Sequence, residues 1–255
     1  IFRGIAFIMH RFFCDIPNIS LQEIIIDDKS QLHHMRDVLR LRHNDTVVLL
    51  DGEGGEYICQ IADIDKKQAE LKIINKTIYN KKDLRIHLTI ACAIPKNSKI
   101  DFIVEKLTEL CVENIILLLT DRTQIRPKDA SMKISKLEKI SIEALKQSNA
   151  KFLPEIEFME FRNLLKTAKD FDLALIANLG KDTVVLRKIL EKISKGNILL
   201  AIGPEGDFSP REIELTKKSG FISVSLGSAI LKVDTAVIAA TGFIKLYFSQ
   251  DYADI

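Results

Sequence analysis

The stretch Ile198-Leu199-Leu200-Ala201-Ile202-Gly203-Pro204-Glu205-Gly206-Asp207-Phe208-Ser209-Pro210-Arg211-Glu212 decides the fold. Its opening apolar run reads as a strand buried on both faces. Gly203 and Gly206 permit backbone torsions that other residues avoid, and they let a ligand come close to the main chain. Ser209 stands where a helix cap belongs, with Pro210 in the first helical position and Glu212 completing a capping box. The segment is therefore strand, loop, helix. No Gly-Lys-Ser/Thr follows, so it is not a Walker loop, and the GxGxxG of a dinucleotide fold is missing. Spacing alone leaves two readings open: a ligand-binding loop, or a tight turn that binds nothing.

Outward from this stretch the same rhythm repeats. Strand-like runs at Ile86–Ala93, Asn114–Leu119, Leu173–Ala177 and Ile222–Ser225 alternate with helical patterns. Examples of the latter are Ile100-Ile103-Val104-Leu107 and Ile134-Leu137-Ile140-Ile142-Leu145. Such alternation implies an α/β domain with a parallel sheet covered on both faces, whose ligands bind beyond the carboxyl ends of the strands. A second loop of interest follows Ser225 and reads Leu226-Gly227-Ser228-Ala229-Ile230-Leu231-Lys232-Val233-Asp234-Thr235. Apolar residues around a glycine suit a flat heterocycle; core packing of Ile230 and Leu231 is the plain alternative. A helix is expected from there on, capped by Asp234 or Thr235.

Before residue 80 the pattern is mostly β. Ile24–Ile26, Thr46–Leu50, Tyr57–Ile64 and Gln68–Ile74 read as short strands of a small barrel, with one helix after Ser30 burying Leu32, Met35, Val38 and Leu39. The polar stretch Asn75–Asp83 reads as a linker. Residues 1–8 precede Met9, a natural start, and are read as upstream of the folded chain.

The chain has 255 residues, 47% hydrophobic and 28% charged, which excludes a disordered tail or a collagen-like repeat. No apolar run approaches the ~18 residues that cross a bilayer. Cys14, Cys59, Cys92 and Cys111 form no CxxC pair and have no histidine at a zinc spacing, so neither metal nor disulfide is expected, and a reducing cytoplasm is. The net charge of +2, taken alone, argues against a nucleic-acid partner. Yet Ser30–Asn44 holds three Arg and three His against one Asp. A neutral total thus permits local basic surfaces.

The run from Leu199 to Ala240 resembles the C-terminal signature of the ribosomal RNA small-subunit methyltransferase E family, in the SPOUT class of S-adenosylmethionine-dependent RNA methyltransferases. Its usual pattern is Gly-Pro-Glu-Gly-Gly, Leu-Gly, Ile-Leu-Arg and Glu-Thr-Ala; this chain has Asp207, Lys232 and Asp234 at three of those positions. Lys96–Val112 is similar to the family's Lys-rich helix ending in Thr/Ala-Glu-Leu-Gly, and Glu143–Ser148 to its Glu-Ala…Gln-Ser segment, usually followed by Gly-Arg where this chain has Asn149-Ala150-Lys151. His10–Phe13 and His33–Arg40 resemble its RNA-binding domain.

The resemblance implies a PUA-like β-barrel over 9–80 joined to a trefoil-knotted SPOUT α/β domain over 84–250, acting as a homodimer without a membrane. The implied reaction is methylation of N3 of a uridine in 16S rRNA near the decoding region. Another RNA site, or a non-catalytic RNA-binding protein of ribosome assembly, are the alternatives. Carried over, the cofactor residues are Ala177, Ile202, Gly203, Glu205, Gly206, Leu226, Gly227, Ile230 and Leu231. Asp234 and Glu205 are the candidate bases, and Lys232 and Lys151 the candidate anion stabilisers. RNA contacts are expected from Arg11, Arg36, Arg40 and Arg42, from Arg122 with Arg126, Lys128 and Lys133, and from Gln147 and Ser148.

Overall fold

In the computed structural model, which describes residues 9–20, 22–95, 99–123 and 131–249, the chain forms two compact units. The first is the chain up to Asp83 together with Leu145–Phe152; the second is Leu84–Ala144 and the chain from Leu153 onward.

The first unit is built on β1 (Arg11–Phe13), β2 (Glu23–Ile26), α1 (Lys29–His33), β3 (Thr46–Leu50), β4 (Gly55–Ile64) and β5 (Ala69–Ile78). Its sheet order is β1-β3-β4-β5-β2. Alternation sends Ile24 and Ile26, Tyr57, Cys59 and Ile61, and Ala69 and Leu71 inward, where they meet Phe12 from the opposite edge. Both edge strands feeding one core means that the sheet curls. Leu32 and Met35 close it from α1 and the turn that follows. Val38 was expected to join them but is 56% exposed. The helix widens into a π turn over His34–Val38, with Leu39 N–H reaching back five residues to His34 O, and the wider turn swings Val38 out. β5 also runs four residues into the expected linker, because Gly55–Ile58 continue to pair with it. Leu145–Phe152 belong to this unit through the Gly54 N–H bond to Lys151 O and the Glu53–Phe152 bridge.

The second unit follows as β6 (Ile86–Ala93), α2 (Lys99–Glu109), β7 (Asn114–Leu119), α3 (Ser131–Ser148), β8 (Glu155–Glu160) and α4 (Phe161–Thr167), then β9 (Leu173–Ala177), β10 (Val184–Val185), α5 (Leu186–Leu190), β11 (Gly196–Ile202), α6 (Pro210–Lys218), β12 (Ile222–Ser225) and α7 (Val233–Tyr247). All seven strands are parallel, in the order β10-β12-β9-β11-β6-β7-β8. The apolar run of β11 is explained by its two faces. Ile198, Leu200 and Ile202 enter the core beneath α2, α5 and α7, while Leu199 and Ala201 enter the one beneath α4. β12 comes last in the chain yet lies between β9 and β10, which precede it. Cys14, Cys59 and Cys92 are free and buried, and burial pushes the Cys59 and Cys92 thiols up to about 12. Among the described residues no helix is long and apolar enough to cross a membrane.

Candidate active site

Register sets the site. Ala177 pairs with Ile202 on one side and Val224 on the other, so β9, β11 and β12 end side by side and their loops emerge together. Asn178 fastens the first loop: its N–H donates to Val224 O at 3.3 Å, its Nδ2 to Ser223 Oγ at 3.0 Å, and its Oδ1 accepts from Gly180 N–H at 2.8 Å.

The loop after β11 turns tightly, with Asp207 N–H bonded to Pro204 O at 2.9 Å. Gly203 has no room for a side chain: a Cβ would sit 2.9 Å from the Phe208 ring. That ring is buried against Phe161. Asp207 has a φ of +61°, the left-handed conformation that a glycine would adopt freely. An aspartate holds it by local bonds, Oδ1 accepting from Phe208 N–H at 2.8 Å and Oδ2 from Leu179 N–H at 3.3 Å. Its replacement of the family's glycine thus has a physical basis. Arg122 reaches across from the loop after β7 and donates to Gly206 O and Asp207 O. Downstream, the expected capping box is present: Ser209 Oγ accepts from Glu212 N–H at 3.2 Å, and Glu212 returns the bond to Ser209 N–H at 2.8 Å.

The loop after β12 is looser. Ser225 Oγ bonds both Gly227 N–H and Gly227 O at 3.2 Å. Gly227, at φ +126°, has nothing within 4 Å of the place a Cβ would take. Ile230 is 79% exposed, while Leu226 and Leu231 pack on the core.

Between these loops lies a cleft of about 600 Å³ measured to its open mouth. It is lined by Ala177, Ile202, Gly203, Glu205, Leu226, Gly227, Ile230 and Leu231 from the expected set. Gly206 is not among the lining residues; a Cβ there would lie 3.2 Å from the Arg122 guanidinium. Sequence reasoning missed Asn178, Leu179, Pro204, Asp207, Ser225 and Ala229, all neighbours of motif residues, and Val233 and Ala236, which share the first-turn face of α7. Aliphatic walls interrupted by glycine backbone suit a flat heterocycle with a polar edge. Among the described residues no cluster fits a metal ion.

The charged candidates are dispersed. α7 starts earlier than expected, so its cap is Lys232, not Asp234 or Thr235; Ala236 N–H donates to Lys232 O at 2.8 Å. The Lys232 side chain is exposed and makes no ion pair among the described residues. Asp234 binds Lys99 Nζ at 2.8 Å, and that bond holds its carboxyl below the usual range. Glu205 is exposed at the cleft lip. Lys151 belongs to the first unit, where its ammonium binds Glu56, and Asn149 at 2.8 Å, above the Tyr79 ring. Gln147 and Ser148 end α3 in that same unit, Gln147 exposed.

Of the expected RNA contacts, Arg40 and Arg42 are exposed and Arg11 is half-buried in β1. The Arg36 guanidinium is engaged by Asp37 at 2.8 and 2.7 Å. Arg126 and Lys128, and the side chain of Lys133, lie outside the described residues.

The chain matches the family described as RNA methyltransferase domain over residues 82–245, and that described as RNA methyltransferase PUA domain over residues 26–74. It is 35% identical over 222 residues to the ribosomal RNA small subunit methyltransferase E of Rickettsia conorii, across 86% of this chain and 88% of that one. The corresponding protein of Synechocystis sp. is 31% identical over 243 residues, across 92% and 77%. A Legionella pneumophila protein assigned as a methyltransferase, solved with bound cofactor SAM, matches with a TM-score of 0.82 at 26% identity, across 94% of this chain and 98% of that one.

Proposed function

The chain belongs to the ribosomal RNA small subunit methyltransferase E family, and on that premise we propose that it methylates N3 of a uridine in 16S rRNA near the decoding region, with S-adenosylmethionine as donor. The observation that carries the reading is the cleft, where three adjacent strand ends bring two glycine-bearing loops and the first turn of α7 to one space. The Legionella protein of the same fold, solved with SAM, supports the choice of cofactor. When bound, that cofactor supplies a methyl group on a cationic sulfur, open to in-line attack. Ile202, Leu226 and Leu231 enclose its adenine and exclude water, while Gly203 and Gly227 offer backbone groups to its polar edge.

Uridine N3 is protonated at neutral pH and attacks only once that proton is removed. Glu205 is the acceptor in this reading. Asp234 is the poorer base, because Lys99 holds it as the anion. The negative charge left on the ring spreads to its carbonyl oxygens, where Lys232 stabilises it as a point charge; it cannot fork to two oxygens as the family's arginine would. Lys151 has no such part, its ammonium being held by Glu56 and Asn149. Arg11, Arg40, Arg42 and Gln147 serve RNA docking, while Arg122 acts by holding the 203–209 loop. The insertion of β12 between earlier strands supports the knotted class, and exposed Phe243 and Leu246 on α7 support a homodimer.

The test is nucleoside mass spectrometry of unmodified 16S rRNA treated with the protein and methyl-labelled SAM. Label on uridine N3 is the expected result. Label on ribose or another base would assign a different reaction of the same class. Cofactor binding without transfer would leave an RNA-binding protein that has lost catalysis.

A further inference from the structure

A second cleft opens on the far side of the 203–212 loop, at the carboxyl ends of β7 and β8. Thr120, Thr123, Arg162 and Arg211 line it, and it holds about 760 Å³ to its open mouth. Arg162 lies in the first turn of α4 and Arg211 in that of α6. Both are exposed, and neither guanidinium has a hydrogen bond or ion pair among the described residues.

Three carboxylates border the same space, and two of them are engaged. Glu212 is buried, with one oxygen on Ser209 N–H and the other on Asp121 N–H at 3.0 Å. Asp121 accepts from Ser209 Oγ at 2.9 Å. Glu160 is exposed and makes no side-chain cap to α4. Arg162 and Arg211 are thus the cations of this lining, and they stand beside the exposed carboxylates of Glu160 and Asp121 without pairing to either. The loop after β11 and the start of α6 contribute to both clefts, Gly203, Pro204, Glu205 and Asp207 to the first and Arg211 and Glu212 to this one. Arg122 and Asp121 fasten the loop after β7 to Gly206, Asp207 and Ser209, so the partition between the two sets of lining residues is tied by side chains.

We propose that this second cleft grips the backbone phosphates of the nucleotides next to the methylated one, with Arg162 and Arg211 as the phosphate ligands. This rests on the reading that the chain methylates RNA. A strand with one base delivered to the cofactor cleft must carry its neighbouring phosphates past the partition. A guanidinium fork matches phosphate oxygens in geometry as well as charge.

The experiment measures binding of an unmethylated 16S rRNA transcript to the full chain, to Arg162→Gln, to Arg211→Gln and to the double variant, over a range of salt concentrations. SAM affinity is measured alongside. Each single change should weaken RNA binding several-fold and reduce the slope of log K against log salt by about 0.7–0.9 for each phosphate no longer neutralised. The double variant should show about twice that reduction, while SAM affinity stays at the wild-type value. Arg162→Lys and Arg211→Lys should retain the slope. Wild-type RNA affinity in the double variant overturns the proposal while leaving the methyltransferase reading intact, and so does weaker binding with an unchanged slope. A wild-type chain that neither binds nor methylates RNA overturns both.

Discussion

The two loops walling the cleft at the ends of β9, β11 and β12 are built in opposite ways. The 203–209 loop is tied from several sides. Arg122 holds its carbonyls, Asp207 holds two amides with its own carboxylate, and the Ser209–Glu212 box closes its end. The buried ring of Phe208 is its root in the core. In the 226–232 loop the Ser225 hydroxyl makes the side-chain hydrogen bonds among the described residues, and Ile230 stands out in solvent. The tied loop is preorganised, so ligand binding there costs little ordering. The open one still has apolar surface to bury when a ligand arrives. A cleft of this kind uses one wall to set position and the other to enclose.

The largest expected effect lies in the tied wall. Glu212→Ala removes the buried carboxylate that accepts from both Ser209 and Asp121 N–H and ends the capping box, and should cost about 2–3 kcal/mol. A fall in the urea midpoint at constant slope reads this out, with Glu212→Gln recovering part of it. An unchanged midpoint would mean the cap does not hold the loop. Next come the two glycines, which should part company. Gly203→Ala forces a methyl against Phe208 and should destabilise by about 1–3 kcal/mol. Gly227→Ala carries strain at positive φ but meets nothing, so its main effect should be on SAM, an affinity loss of about tenfold by calorimetry. If both variants lose only stability, the open loop is not a ligand wall. Smaller again is Asp207. Alanine there should cost about 1 kcal/mol, by losing the local bonds at positive φ, whereas glycine should lie near wild type.

The tied wall was also the more legible in sequence. Glycine, proline and a capping box are local signals, so the turn, the start of α6 and several of the residues that line the cleft could be read one position at a time. What escaped depends on partners far along the chain. Arg122 looks like any exposed arginine until the loop from Gly206 to Asp207 is set beside it. Val233 and Ala236 read as ordinary helix residues until α7 is placed across the cleft. β8, with acidic residues at alternate positions, reads as polar because it is a sheet edge, and β10 is too short to show a period. Val38 misled because the helical period was extended through a π turn. The cap of α7 misled because Asp234 has a capping side chain but bonds to Lys99 instead.

That ion pair fixes the far end of the open loop, and it yields the smallest and most condition-dependent prediction. Asp234 lies in the first turn of α7, where the helix dipole favours a negative charge, and the Lys99 ammonium lowers its carboxyl below the ordinary value of 3.8. A folded-state value below the unfolded one gives stability that is complete above the unfolded value and lost as pH falls through the folded one. Lys99→Met removes the leading cause of that depression. Its urea midpoint should lie below the wild type near neutral pH, and the two should converge in the acid limb. The side chains are 43% and 20% exposed, so the gap should not exceed about 1 kcal/mol and should shrink with added salt. Curves that stay parallel through the acid limb would mean that Lys99 does not act through the carboxylate. Burial of Val233, at 4% exposure, would then be what anchors the start of α7, and the open wall would be held at that end by packing alone.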